Sequence, residues 1–190
     1  MPRNRRPRDR EEKRAEIVSA ARDLFLLEGY ESVSMARVAR AAGVVSNTVY
    51  WYFQDKDTLL LAVLDDVLPE ALSEYDSAAG HSPAQRLRWV VGALRRANRL
   101  VTAVHARSAE SESVRAWHQR FHAVTEGLLR QELALLGVGD ARLTPASSIA
   151  MFVIEGLLMH PADEQATEAV LVTLLDAVRA TATTDQRDRV

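Results

Sequence analysis

The 190-residue chain has no cysteine, so disulfides and thiolate-held metals are excluded. No apolar run reaches the roughly 18 residues that a membrane span needs. The basic N-terminus is followed by no apolar signal core, which predicts a cytoplasmic protein without a membrane partner. Enzyme signatures are missing as well: there is no Gly-rich phosphate loop, no Gly-x-Ser-x-Gly turn and no His-Glu-x-x-His pair. Nothing in the sequence asks for catalysis, and no cofactor is expected. No segment sustains β-type alternation and no unit repeats, so the expected fold class is all-α.

What is present is an ordinary globular composition, 47% hydrophobic and 26% charged. The net charge of −2 conceals an asymmetry. Residues 1–56 carry 11 Lys and Arg against 8 Asp and Glu, whereas residues 57–190 carry 13 against 18. A basic head on an acidic body suits contact with a polyanion at one end only. Residues 1–10 hold five arginines and no apolar side chain after Met1, so they are expected to be disordered. They are either an arm reaching toward phosphates or the minor groove, or a solvated tail.

Helical periodicity runs through the rest. From about Arg10 to Glu28, Ile17, Ala21, Leu24 and Phe25 form one stripe, and Gly29 ends the helix. Asp55 caps a helix with the apolar run 59–64, which Pro69 kinks or ends before helical pattern resumes to about Ala78. Ala79-Gly80-His81 reads as a loop. Ser82-Pro83-Ala84-Gln85 then starts a helix with a Ser cap, Pro at the first position and Gln three residues after the cap. Its stripe of Leu87, Val91, Leu94, Val101 and Val104 predicts one helix to about Ser108. Val114, Trp117, Phe121, Val124 and Leu128 share a face of the next long helix, which Gly137 to Asp140 breaks. Thr144-Pro145 opens a helix over 145–160 that is apolar nearly all round from Ile149 to Met159. His160-Pro161-Ala162 ends it. Asp163 caps a final helix to about Ala180, with Leu171, Leu174, Leu175 and Val178 inward, and a frayed polar tail from Thr181.

Residues 34–53 stand out. Ser34 caps a short helix that buries Met35, Val38, Ala39 and Ala42. Gly43 follows where a left-handed turn residue is needed. A second short helix starts near Val45-Ser46, with Val49 and Phe53 turned to the core. Helix, glycine turn, helix, with small Ala39 at the crossing, is the helix-turn-helix pattern. The outward face of the second helix carries Ser46, Asn47, Thr48, Tyr50, Trp51 and Tyr52. Hydroxyls, amides and flat rings of this kind suit phosphates and base edges in a major groove. Part of the Trp51 and Tyr52 ring area is expected to pack on flanking helices. An aromatic patch for a protein partner is the alternative reading of residues 46–52.

The run Gly29-Tyr30, Val33-Ser34, Val38-Ala39, Ala42-Gly43-Val44, Thr48-Val49-Tyr50, Phe53, Lys56 and Leu59-Leu60 resembles the DNA-binding head of the TetR (tetracycline repressor) family of transcriptional regulators. The likeness covers about residues 11–65. It implies a DNA-binding domain over 11–56 and a ligand-binding and dimerisation domain over 57–190. It further implies that Thr48, Tyr50 and Lys56 contact operator phosphates and that Ser34 presents backbone N–H groups to another. Ser46, Asn47 and Trp51 would meet bases or the groove, and Arg37 a base or phosphate. Two positions depart from the family pattern. Val45 stands where a polar cap is common, so Ser46 is expected to cap instead. Asn47 stands where glycine is common, which adds a side chain able to read a base.

One recognition helix reads few base pairs, so a two-fold homodimer on double-stranded operator DNA is expected. The resemblance implies that the two C-terminal helices form its interface, and the all-round apolar segment 149–159 agrees; burial within its own subunit is the alternative. Gly156 would permit close helix approach. The resemblance also implies a small-molecule effector of unknown identity, enclosed by the middle helices. Candidate lining residues are Trp89, His105, Trp117, Phe121, Met151, Phe152 and Glu155, with Trp117 and Phe121 first and fewer than half expected to touch a ligand. Glu155, the lone charge of its apolar segment, needs a partner: an arginine across the dimer or a cationic ligand. His118 and His122 have the i, i+4 spacing of a zinc chelate, but no third ligand is evident and no metal is expected.

Overall fold

The computed structural model describes residues 7–77, 80, 82–160 and 162–187, with side chains described from Asp9 to Ala180. Among the described residues there are nine helices and no strand: α1 Pro7–Glu28, α2 Met35–Ala41, α3 Ser46–Tyr52, α4 Lys56–Ser77, α5 Pro83–Arg96, α6 Asn98–Ser108, α7 Glu112–Leu135, α8 Asp140–Met159 and α9 Glu164–Arg187. The all-α expectation holds. Expectations for residues 1–6, for the loop at Ala79 and His81 and for Pro161 fall outside the described residues. The helix α1 already includes residues 7–10, which had been expected to be disordered.

Several starts follow the capping chemistry. Asp55 Oδ1 accepts from Thr58 N at 2.7 Å ahead of α4. The Ser82–Gln85 box closes reciprocally ahead of α5, at 2.8 and 3.3 Å. Asp163 Oδ1 accepts from Ala166 N at 2.7 Å ahead of α9.

Other boundaries are corrected. The helix α4 continues through Pro69, which removes one backbone donor without ending it. The segment expected as one helix from Pro83 to Ser108 is two, α5 and α6, divided at Ala97; Leu100 N and Val101 N both bond back to Ala97 O. The helix α8 begins at Asp140, before Pro145, because Gly139 takes an extended conformation and serves as its start. The helix α9 runs past Ala180 to Arg187. By length and composition alone α8 could cross a membrane, contrary to the expectation that no segment would qualify, and 28% of its apolar window is buried. Core helices of soluble proteins meet the same criterion.

The chain forms two compact units, Met1–Leu72 with Ala97–His118, and Ser73–Arg96 with Gln119–Val190. In the first, α1 packs on α2 and α6, and α2 packs on α3. Ile17, Phe25, Val33, Val38, Val49, Phe53, Leu59 and Val63 are fully or almost fully buried. Each such side chain contributes roughly 1.5–3 kcal/mol of burial free energy. In the second, α5 packs on α8 and α9, which also meet each other. Leu87, Val91, Leu133, Ile154 and Leu171 are central to its core. The stripe Leu171, Leu174, Leu175 and Val178 is buried as the sequence indicated, whereas Val124 of α7 is exposed.

Candidate nucleic-acid interface

The geometry of α2 and α3 starts from Gly43. Its φ of +64° lies in the left-handed region. That conformation lets Val44 N reach Ala39 O at 2.9 Å and Gly43 N reach Arg40 O at 3.2 Å. These two bonds satisfy carbonyls at the end of α2 and reverse the chain in a Schellman turn. Ser34 begins α2, its Oγ accepting from Arg37 N at 3.2 Å. The start of α3 differs from expectation: Val45 occupies the N-cap position with no side-chain cap, and Ser46 is the first helical residue. Val45 has the extended backbone a cap requires but no oxygen to offer, so the turn fixes the start without a polar cap.

One face of α3 is anchored and the other is open. Val49 and Phe53 are buried, while Tyr50 and Trp51 are 54% and 62% exposed. Asn47 is also exposed, and Ser46, Thr48 and Tyr52 are half-buried. The Trp51 and Tyr52 rings meet edge to face at 4.8 Å. Arg10 of α1 lies 4.5 Å over the Trp51 ring, and Arg14 lies 5.3 Å over Phe53. Arg10, the last residue of the basic segment 1–10, brings a cation to this surface from α1. On α2, Ser34 and Arg37 are exposed, and Arg37 pairs with Glu28 at 2.8 Å.

Lys56 is turned inward. Its ammonium donates to Tyr30 O at 2.8 Å and Val33 O at 3.1 Å, and lies 4.0 Å from the Tyr30 ring centre. Two of its three N–H groups are thus engaged on the turn before α2. Burial lowers its pKa from the usual lysine value.

In the second unit, a narrow slot of about 50 Å³ is lined by Tyr75, Leu87, Val90, Leu94, Thr125, Leu128, Leu129, Glu132, Met151 and Ile154. Of the seven candidate pocket residues, Met151 lines it. Trp89 is half-buried with its ring 6.1 Å from Tyr75. Phe121 is half-buried and Phe152 is 69% exposed. Glu155 has His122 beside it at 3.4 Å, a partner within the same chain. Trp117 and His105 belong to the first unit. There Trp117 is buried and donates Nε1–H to Asp65 at 2.8 Å, and the His105 ring lies 4.8 Å from that of His118. Among the described residues no group of three or more His, Asp or Glu side chains is placed to hold a metal ion. The slot's polar wall was not legible in the sequence. Tyr75 Oη donates to Glu132 Oε1 at 2.7 Å, and Arg86 pairs with the other carboxylate oxygen.

Residues 17–63, about a quarter of the chain, match the family described as bacterial regulatory proteins, tetR family. The regulator HbdR of Aromatoleum sp. (strain CIB) is 43% identical over 58 residues, which are 30% of this chain and 25% of that protein. The repressor KstR of Mycobacterium tuberculosis is 36% identical over 102 residues, 51% of this chain and 46% of that protein. The chain thus spans a quarter to a half of the length of these curated relatives. Over nearly the whole fold it is similar to the solved structure of a transcriptional regulator from Rhodococcus sp. Rha1, with a TM-score of 0.72 and 20% identity, covering 87% of this chain and 95% of that one. It is also similar to NalD, the secondary repressor of the MexAB-OprM multidrug efflux pump in Pseudomonas aeruginosa, with a TM-score of 0.61 and 26% identity, covering 90% and 96%. These relatives are described as regulators, none as an enzyme.

Proposed function

We propose that the protein, whose residues 17–63 match the tetR family of bacterial regulatory proteins, is a transcriptional regulator that binds a palindromic operator as a homodimer and is released by a small molecule. The observation that carries this reading is the open face of α3. It bears two exposed aromatic side chains and a row of hydrogen-bonding groups on a helix anchored by buried Val49 and Phe53. Exposed rings of that size call for a cover, and a major groove supplies one.

In this reading Ser46, Asn47 and Trp51 face bases or the groove. Thr48, Tyr50, Tyr52 and the N-terminal turn at Ser34 meet phosphates, with Arg37 and the remaining N–H of Lys56 beside them. The domain division of the chain is a DNA-binding head over 11–56 and a ligand-binding and dimerising body over 57–190. Dimerisation is supported by the unpartnered apolar side chains of α8 and α9: Ile149, Phe152, Met159, Val170 and Val172 are exposed in a single chain. Effector binding is assigned to the apolar slot beside Glu132 and Met151, which at about 50 Å³ must widen several-fold to admit a small molecule. A ligand seated there acts only by preferring one state of the dimer over the other. Repression needs no surface beyond the head, since occupancy alone blocks the site.

The test is selection of short duplexes by the purified full chain, with Tyr50→Phe and Trp51→Ala beside it at two salt concentrations. Enrichment of a palindrome, weakened by salt and by both substitutions, is expected. No enrichment, with the aromatic face instead capturing a protein in a salt-insensitive way, would favour the interaction-module reading.

A further inference from the structure

Asp57, the second residue of α4, is held from two distant parts of the first unit. Arg107, at the end of α6, donates Nε–H to Oδ1 at 3.0 Å and Nη2–H to Oδ2 at 2.8 Å, a fork meeting both oxygens of one carboxylate. Tyr30, in the turn between α1 and α2, donates its hydroxyl to Oδ1 at 2.6 Å. The neighbouring Lys56 ties the same turn through Tyr30 O and Val33 O. The Arg107 and Asp57 side chains are only 23% and 16% exposed.

A carboxylate in the first turn of a helix is already favoured by the helix dipole and needs no arginine. The fork from a residue 50 positions along the chain is an added constraint. Its place matters because Asp57 stands four residues after Phe53, the C-cap of α3. A shift in the first turn of α4 is passed to the recognition helix through that short connection. Arg107 itself is poorly suited to bind phosphate. Its third arm, Nη1, pairs with Glu110, so its charge is already matched by two carboxylates.

We infer that Arg107 is a positioning residue for DNA binding: through Asp57 it fixes the pose in which α3 is presented, without touching the nucleic acid. The inference rests on the operator-binding reading above and adds a control point within the head.

The experiment uses the full-length protein and the duplex that it selects. Binding is measured for wild type, Arg107→Gln, Asp57→Asn, the double variant and Arg107→Lys over a range of salt, with thermal unfolding run in parallel. Each of the first two substitutions is expected to weaken binding about tenfold, the equivalent of about 1.4 kcal/mol, at temperatures where the protein remains folded. The double variant should be no weaker than either single one, because both act through one pair. The slope of log affinity against log salt should stay at the wild-type value, since no phosphate contact is lost. Arg107→Lys keeps the charge without the fork and should fall between, about threefold weaker; it carries the test if the glutamine variant does not fold. Wild-type affinity in the variants that fold, additive losses, or a salt slope reduced by about one would each overturn the inference. If wild type selects no duplex, the operator reading fails and this inference with it. If wild type selects one and the variants bind it equally, only the positioning role of Arg107 is lost.

Discussion

Arg86 and Glu132 form an ion pair inside the second unit, with side chains 8% and 9% exposed, and the Glu132 carboxylate lines the slot. The pair joins α5 to α7 across 46 positions of sequence. Burying two charges costs solvation that mutual attraction offsets only while both partners are present. Glu132→Ala should therefore destabilise the protein by about 3–5 kcal/mol, by leaving the guanidinium without its carboxylate in the core. The apolar double replacement Arg86→Met with Glu132→Leu should recover most of that loss. Urea unfolding measures both, and equal midpoints for wild type and Glu132→Ala would sink the account.

Gly43 holds φ at +64°, and a Cβ built there meets nothing within 4 Å. The cost of Gly43→Ala is therefore one of backbone conformation alone, about 1–2 kcal/mol. Unfolding of the first unit should move by that amount, and, on the operator-binding reading proposed above, duplex binding should weaken as the turn before α3 loosens. A variant as stable as wild type would mean that the turn tolerates another backbone state.

Asp57 has a carboxyl held below the ordinary value of 3.8, first by the hydrogen bond from Arg107. A depressed folded-state pKa gives stability that is complete above the unfolded value and is lost as pH falls through the folded one. The stability difference between wild type and Asp57→Asn should thus be constant near neutrality and shrink only below about pH 3.8. Tyr30 is shifted the opposite way, its hydroxyl pushed well above 10.0 by burial and then by the bond to Asp57. Its contribution is present below pH 10.0 and fades as pH rises through the folded value. Urea midpoints of wild type and Tyr30→Phe compared across the alkaline range should converge.

Phe152 is 69% exposed on α8, and a Cβ at Gly156 of the same helix meets nothing within 4 Å in a single chain. Gly156→Ala should raise the helix propensity of α8 by about 1 kcal/mol in an isolated chain. If a second copy packs there, as proposed, the same methyl group should weaken association. Phe152→Glu should also break the dimer while leaving helicity intact. Sedimentation of the variants decides the matter: dimers of undiminished strength in both would place the interface elsewhere.

Local chemistry made much of this fold legible. Asp55, the Ser82–Gln85 box and Asp163 each announce a helix start through a side chain that acts within three residues, and Gly43 announces a turn by lacking a Cβ. The division at Ala97 has no such signal, because neither glycine nor proline stands there and the apolar stripe continues from Val91 and Leu94 to Val101 and Val104. Pro145 misled in the other direction: it looks like a first helical residue, yet α8 accommodates it inside. The candidate site follows the same rule. The anchored and open faces of α3 can be read from spacing, whereas the Arg107 fork on Asp57 and the inward turn of Lys56 depend on contacts between residues 23 to 50 positions apart.

The first unit is not a continuous stretch of chain: Ala97–His118 belongs to it as much as the segment ending at Leu72. The family match stops at residue 63 and so covers only the earlier of these pieces. A chimera that grafts the matched segment onto a relative by a single cut after residue 63 would leave Arg107, Leu100, Val104 and Val114 behind. Asp57 would lose its guanidinium, and α1 would lose α6, the helix it packs against. On the operator-binding reading proposed above, exchange of DNA specificity is therefore better made by replacing side chains on α3 than by transplanting the domain.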